Sequence, residues 1–110
     1  MASAFKTATG VDVGTSLASV YTCPSSTTTT IIGLYLCNTA GADITVTCQF
    51  YNASSNHHAS IVNGVEIPAG STLAPIGGDA KVVLEAGDII KVSSNTASSV
   101  DVVLSYLEQT

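Results

Sequence analysis

The sequence predicts an all-β fold, a single antiparallel β-sandwich of about eight strands. No window of the chain shows the sustained 3.6-residue spacing of apolar residues that an amphipathic helix requires. Val, Ile and Thr, which favour strands, dominate its apolar and alternating runs. These runs are short, and Gly, Pro or Asn turns separate them about every 8–12 residues, which is typical of all-β domains.

The chain has 110 residues, which is the size of one domain. Its first part, residues 1–17, is rich in small and polar residues, and we expect an N-terminal arm or a loosely attached segment there. Residues 18–110 form the predicted sandwich domain. Its strands are expected at 18–23, 29–38, 43–51, 58–67, 71–76, 80–84, 88–93 and 100–108.

Two of these segments contain turn or edge signals. Asn63-Gly64 is a type I′ turn signal and predicts a tight turn inside 58–67. Pro75 lacks a backbone N–H, so the strand at 71–76 is expected at the edge of a sheet.

The apolar pattern predicts which faces are buried. In 43–51, Ile44, Val46, Cys48 and Phe50 alternate with polar residues, so these four side chains are expected to face inward. In 29–38 the apolar residues fall on both faces, which predicts a strand covered on both sides. One face would carry Ile32, Leu34 and Leu36, and the other Ile31, Tyr35 and Cys37.

Two sandwich topologies fit about eight strands, a jelly roll and an immunoglobulin-like Greek key. The chain has no Trp, so the Cys…Trp…Cys hallmark of immunoglobulin domains is missing. The jelly roll is therefore favoured.

Charge excludes some functions. The net charge is −5, there is no Arg, and the only cationic side chains besides histidine are Lys6, Lys81 and Lys91. Nucleic-acid binding needs clustered Lys and Arg, so no nucleic-acid partner is expected. No apolar run has the roughly 20 residues of a membrane span or the pattern of a signal peptide, so we expect no membrane contact and synthesis in a cytoplasm.

The scarcity of charge also concerns association. Charged residues are only 10% of the chain, against about 25% in typical domains. A surface made of hydroxyl groups, Ala and Gly, with few charges, gives little protection against association with other proteins. We therefore favour a protein whose surface is largely covered by partners, and the alternative is an ordinary small soluble domain.

No catalytic, cofactor-binding or metal-binding residues are predicted, and the chain is not expected to be an enzyme. The acidic turn Glu85-Ala86-Gly87-Asp88 joins two strands, and Gly87 and Asp88 are typical turn residues, so we interpret it as architecture. His57 and His58 are adjacent, and adjacent strand residues point to opposite faces, so one shared metal would require other ligands or copies around a symmetry axis. Cys23, Cys37 and Cys48 have no metal-type spacing and are expected to be free thiols.

Several stretches resemble small virion structural proteins of tailed bacteriophages. The stretches are "IPAGSTLAPI", "KVVLEAGDIIKVSS" and "SSVDVVLSYLE", which together cover roughly residues 67–108. The stretch "VYTCPSSTTTTIIGLYLCNTAGADITVT" is similar to the first half of the same pattern. The shared motifs are turns and strand alternation, so no binding residue is carried over.

The resemblance implies a β-sandwich that decorates or joins a virion, assembled in the host cytoplasm. Its partners would be the major capsid protein or other virion proteins, with further copies of itself as a homo-oligomer. A head decoration or cement role is favoured. The alternatives are a tail, neck or baseplate component, or a receptor- or carbohydrate-binding module, whose sites usually stack a sugar on an exposed Trp or Tyr.

Overall fold

The computed structural model describes residues 2–110, which contain nine β-strands and no helix. The strands form two sheets, a larger sheet of five strands and a smaller sheet of four. The strands are β1 (Ser3–Val13), β2 (Ala18–Thr22), β3 (Thr28–Asn38), β4 (Ile44–Asn52), β5 (His57–Ile67), β6 (Thr72–Ile76), β7 (Val82–Leu84), β8 (Ile89–Ser94) and β9 (Val100–Gln109).

The strand pairing is nested, as in a ribbon that is folded and then rolled. β1 pairs with β9, β2 with β8, β3 with β6 and β7, and β4 with β5, all antiparallel. Two further ladders, β3 with β9 and β4 with β8, complete the sheets. The orders are β1-β9-β3-β6, with β7 also on β3, and β2-β8-β4-β5. This is the jelly-roll arrangement, so the predicted fold class is confirmed.

The core lies between the two sheets and contains Ile, Leu and Val from both. β4 contributes as its alternation predicted, because Ile44, Val46 and Cys48 are each at most 1% exposed, and Phe50 packs partly buried against them. The larger sheet contributes inward residues at every second position of β9, and these are Val100, Val102, Leu104 and Tyr106.

The predicted face assignment of β3 is wrong at Ile31, which was expected on the face opposite to that of Leu34 and Leu36. The pairing with β9 passes from Ile31 opposite Tyr106 to Gly33 opposite Ser105, so Ile32 is an extra residue at a bulge. The bulge reverses the alternation, and Ile31 faces the core together with Leu34 and Leu36. The outer face of β3 is not covered by another layer of this chain, contrary to the prediction.

The tight turn predicted at Asn63-Gly64 is also wrong. β5 continues through both residues, and Val62 and Val65 pair with Cys48 and Val46 of β4. Asn63 and Gly64 lie opposite Thr47 alone, so they form a bulge, and Gly64 supplies the positive φ of 63° that such a bulge uses. The same backbone conformation serves a bulge and a turn, and the sequence signal does not separate them.

The first segment is a strand of the larger sheet over most of its described length. β1 pairs with β9 from Ser3 opposite Gln109 to Val13 opposite Val100, which corrects the expected arm or loose segment. Met1 lies outside the described residues. β6, which contains Pro75, lies at an edge of the larger sheet as predicted.

Candidate functional site

The outer face of the larger sheet is the surface on the side away from the core. Residues opposite one another in adjacent strands share a face, so the register defines rows across this surface. One row runs through Phe5, Leu107, Thr30 and Val83, and a second runs through Thr9, Val103 and Tyr35. Phe5 is 76% exposed and Val83 is 55% exposed, while Tyr35 and Val103 are exposed to smaller extents. Large apolar side chains are therefore exposed to solvent on this face.

Between these rows lie the small residues Thr7, Ser105 and Gly33. The ring of Tyr35 lies over Gly33, because a Cβ built on Gly33 would be 3.5 Å from the ring carbon Cε2. Tyr35 thus lies along the sheet rather than standing out from it. The middle of the outer face therefore carries only short side chains with hydroxyl groups, and the ring of Tyr35 lies flat beside them.

Charge distinguishes the two outer faces of the sandwich. On the paired positions of the larger sheet's outer face, Asp101 is the one charged residue, and its Oδ1 accepts a hydrogen bond from the Asp12 amide at 3.2 Å. The smaller sheet's outer face carries Glu66, Lys91 and His58. The molecule's net charge of −5 therefore lies mostly away from the larger sheet's outer face.

The free edge of this face is β1. The amides and carbonyls of Ala2 and Thr110 exchange two hydrogen bonds, at 3.2 and 2.9 Å. In an antiparallel ladder hydrogen-bonded pairs alternate with non-bonded pairs, so the even residues of β1 bond to β9. The odd residues Ser3, Phe5, Thr7 and Thr9 therefore direct their backbone N–H and C=O groups away from the sheet.

A polar network joins the two sheets near the start of β1. The Tyr21 hydroxyl of β2 donates to Glu108 Oε2 of β9 at 2.6 Å, and Lys6 Nζ of β1 bonds Glu108 Oε1 at 2.8 Å. The hydroxyls of Tyr21 and Thr29 also bond at 2.8 Å. The Lys6 hydrogen bond and then that of Tyr21 lower the pKa of Glu108, while burial and the Glu108 carboxylate raise the pKa of Tyr21. The network fixes β1 to both sheets.

The acidic turn 85–88 is a structural element, as the sequence indicated. Asp88 is 4% exposed, and its two carboxylate oxygens accept hydrogen bonds from the amides of Ala53 and Glu85, each at 2.9 Å. Gly87 has a positive φ of 90°. Glu85 is exposed. The turn thus connects β7 to β8 and holds the loop between β4 and β5.

The residues that the sequence singled out lie apart from one another. The rings of His58 and Tyr51 are in contact at a tilt of 44°, with centroids 4.7 Å apart, and His57 lies opposite Asn52. His57 and His58 are both exposed on β5. Cys23 and Cys48 are buried, Cys37 is half-buried, and all three are free thiols. Tyr21 and Tyr106 are buried, whereas Tyr35 and Tyr51 lie on opposite outer faces.

Residues 2–110 contain no detected cavity of ligand size and no cluster of three or more His, Cys, Asp or Glu side chains placed to hold a metal ion. Within the same residues there is no helix that could span a membrane.

Sequence reasoning missed the β1 edge. Phe5, Thr7, Thr9 and Val11 are strand-favouring residues at every second position, and this alternation was the available signal. Small residues between them, Ala4, Ala8 and Gly10, obscured it.

One solved structure with a similar fold belongs to Bacillus endospore appendages, described as a family of disulfide-linked pili. The TM-score is 0.59 at 15% sequence identity, and the match covers 99% of this chain and 87% of that chain. The likeness shows a shared fold. No family model and no curated protein sequence matches this chain.

Proposed function

We propose that this chain is a non-enzymatic structural subunit of a bacteriophage particle, and that it acts as a head decoration protein by binding neighbouring shell proteins. The observation that carries the proposal is the outer face of the larger sheet. This face exposes Phe5, Val83, Tyr35 and Val103, carries Asp101 as its one charge on the paired positions, and ends at the free edge of β1.

Such a face suits protein contacts for physical reasons. Exposed apolar side chains gain free energy when a partner removes them from water, at roughly 25 cal/mol per Å². Few charges need to be desolvated, and the hydroxyls of Thr7, Thr9 and Ser105 can bond to a partner or to interfacial water. Many copies on one shell would convert modest single contacts into strong retention, because each bound copy holds its neighbours close.

Two kinds of similarity support this role. The stretches quoted above resemble phage virion structural proteins across most of the sandwich. A solved structure with a similar fold is that of Bacillus endospore appendages, which form pili, and pili are themselves protein assemblies. Cys23 and Cys48 of this chain are buried, and Cys37 is half-buried.

The experiment uses particles that lack this protein. Depleted and complete particles are heated or moved to low salt, and release of the packaged genome is followed; purified protein is then added back. The proposal predicts that depleted particles fail at lower temperature and that added protein binds heads and restores their resistance. Equal resistance with no rebinding to heads would contradict it. Binding to tails, or to a glycan surface, would then favour the tail, neck or baseplate role or the receptor-binding role.

A matched pair of variants locates the contact surface. Val103 on the outer face of the larger sheet and Val65 on the core-facing side of the free edge strand β5, opposite Val46, are 41% and 42% exposed, so the two side chains are equally accessible but belong to different surfaces. Val103→Lys places a positive charge among the apolar side chains of the outer face and should weaken head binding at least tenfold. Val65→Lys should leave head binding unchanged. Equal effects of the two variants would exclude this face as the contact.

A further inference from the structure

The β1 strand is the longest regular unpaired edge among residues 2–110. Its register with β9 has no irregularity from Ser3 to Gly10. The other edges are shorter or interrupted: β2 has five residues, β6 contains Pro75, and β5 has two register shifts. Bulges, prolines and short strands are devices that prevent edge pairing, and β1 lacks these three over this stretch. Its one charged residue there is Lys6, which is paired with Glu108.

The direction of its backbone groups restricts how a second copy can pair with it. Free N–H and C=O groups belong to the odd residues, so an antiparallel partner β1 must place odd residues opposite odd residues. Four symmetric registers near the middle of the strand satisfy this condition. They place Phe5, Lys6, Thr7 or Ala8 opposite its own copy.

Charge and length select one of the four. The Lys6 register sets two ammonium groups directly opposite each other, which is unfavourable. Within the regular stretch 3–10, the Phe5 register pairs only residues 3–7 and the Ala8 register only residues 6–10. The Thr7 register pairs residues 4–10 and sets Lys6 opposite Ala8, so it uses most of the regular edge and separates the charges.

The Thr7 register also gives the most exposed aromatic side chain a neighbour on its open side. In it, Phe5 of one copy lies opposite Thr9 of the other, and Thr9 is followed in its row by Val103 and Tyr35. Phe5, which is 76% exposed in the single chain, then lies within a continuous outer face. We propose that two copies of this chain pair antiparallel through β1 about a two-fold axis at Thr7, so that their larger sheets become one sheet. This inference rests on the proposed structural role and names one partner for its edge.

Cysteine cross-linking tests the register. In a Cys37→Ser background, which removes the half-buried thiol, the variants Thr7→Cys, Thr9→Cys and Phe5→Cys are oxidised mildly and their masses measured. Residues opposite each other in a hydrogen-bonded pair have Cα atoms about 5.5 Å apart, within disulfide range. Thr7→Cys should give a covalent dimer of twice 11.1 kDa, and Thr9→Cys, exposed on the same face, should not. Cross-linking through Phe5→Cys instead would overturn the Thr7 axis.

Proline substitution tests the pairing itself. The Thr7 N–H is free in the single chain, so Thr7→Pro removes no hydrogen bond within the sandwich but blocks a partner strand. Sedimentation equilibrium should show a concentration-dependent dimer for the unaltered chain and a dissociation constant at least tenfold weaker for Thr7→Pro. Thr7→Lys, which sets like charges opposite each other, provides a second variant that retains all backbone groups. A chain that stays monomeric at all concentrations, or variants that dimerise unchanged, would overturn the proposal.

The outcome is separable from that of the proposed function. Dimers that do not bind heads would support the β1 pairing and contradict the decoration role. Monomers that bind and protect heads would do the reverse.

Discussion

The Asp88 carboxylate accepts a hydrogen bond from the amide of Ala53 at 2.9 Å, although the two residues are 35 positions apart. The same carboxylate accepts a second hydrogen bond from the Glu85 amide. One buried acidic residue thus fixes its own turn and the loop between β4 and β5, which lies at the same end of the smaller sheet. The acidic character of this turn has a structural cause.

Removing this carboxylate should destabilise the fold. Asp88→Ala leaves two amides without acceptors, and we expect a loss of about 2–3 kcal/mol in the free energy of unfolding. Asp88→Asn should also be destabilising, because both oxygens accept from N–H groups and an amide nitrogen cannot replace either. Urea unfolding measures the loss. Glu85→Gln is the control, since Glu85 is exposed, and a change above about 0.5 kcal/mol there would contradict the assignment of the turn's role to Asp88.

A Cβ at Gly87 should be costly for two reasons. Gly87 has a φ of 90°, and an added Cβ would lie 3.1 Å from Cβ of Ala53. Gly78 has a φ of 59° with nothing within 4 Å, and Gly41 has neither feature. We therefore expect Gly87→Ala to cost more than about 1 kcal/mol, Gly78→Ala to cost about 1 kcal/mol, and Gly41→Ala to cost little. Thermal unfolding of the three variants checks this order, and equal effects would contradict it.

The Lys6–Glu108 pair should stabilise the fold only in a middle range of pH. The lowered pKa of Glu108 means that its contribution is present above its unfolded pKa, about 4.3, and is lost as pH falls through the lower folded pKa. The pKa of Lys6 is raised, chiefly by its hydrogen bond to Glu108, so its contribution is present below about 10.4 and is lost as pH rises through the folded pKa.

Urea unfolding of the unaltered chain and of Glu108→Gln measures this contribution. The unaltered chain should be more stable near neutral pH, and the two curves should converge below about pH 4. Added salt should reduce the difference, because the Lys6 side chain is 52% exposed. A difference that persists unchanged at pH 2 would show that Glu108 acts through packing instead.

The three thiols should differ in reactivity. Burial raises the pKa of Cys48 to about 12, which keeps it protonated and unreactive, and Cys23 is also buried. In the folded protein a thiol reagent should modify Cys37 first and the other two only on unfolding. The denatured, unreduced protein should show three free thiols. A count of one would reveal a disulfide that the structure does not contain.

The alternation of apolar and polar residues predicted most of the fold, because residues of a regular strand point alternately to its two faces. β4 and β9 follow the period of two without interruption of their inward faces, and both were located within one or two residues. Besides the missed strand β1, two failures occurred where a single residue was added to a strand. Ile32 reversed the apparent faces of β3, and Asn63-Gly64 has the composition of a turn inside a continuous strand. Bulges depend on the partner strand, which the local sequence does not identify.

The candidate site was less accessible to sequence reasoning. The low charge predicted that some surface is covered by partners, but not which one. The outer face is assembled from Phe5, Val103, Tyr35 and Val83, which are distributed across four strands, and only the register brings them into rows. The composition predicted a surface that partners cover, and the strand topology determined where on the molecule that surface lies.

The position of β9 has a consequence for how the chain is made. β9 is the last strand in sequence, yet it lies between β1 and β3 in the larger sheet. During synthesis β1 leaves the ribosome before its partner β9, which is about a hundred residues further along the chain. The larger sheet therefore closes only after residues 100–109 emerge, and its closure depends on very long-range contacts, which fold slowly. Until then the strand edges of β1 and β3 are both open, and in that interval a nascent chain is most exposed to mispairing with its neighbours.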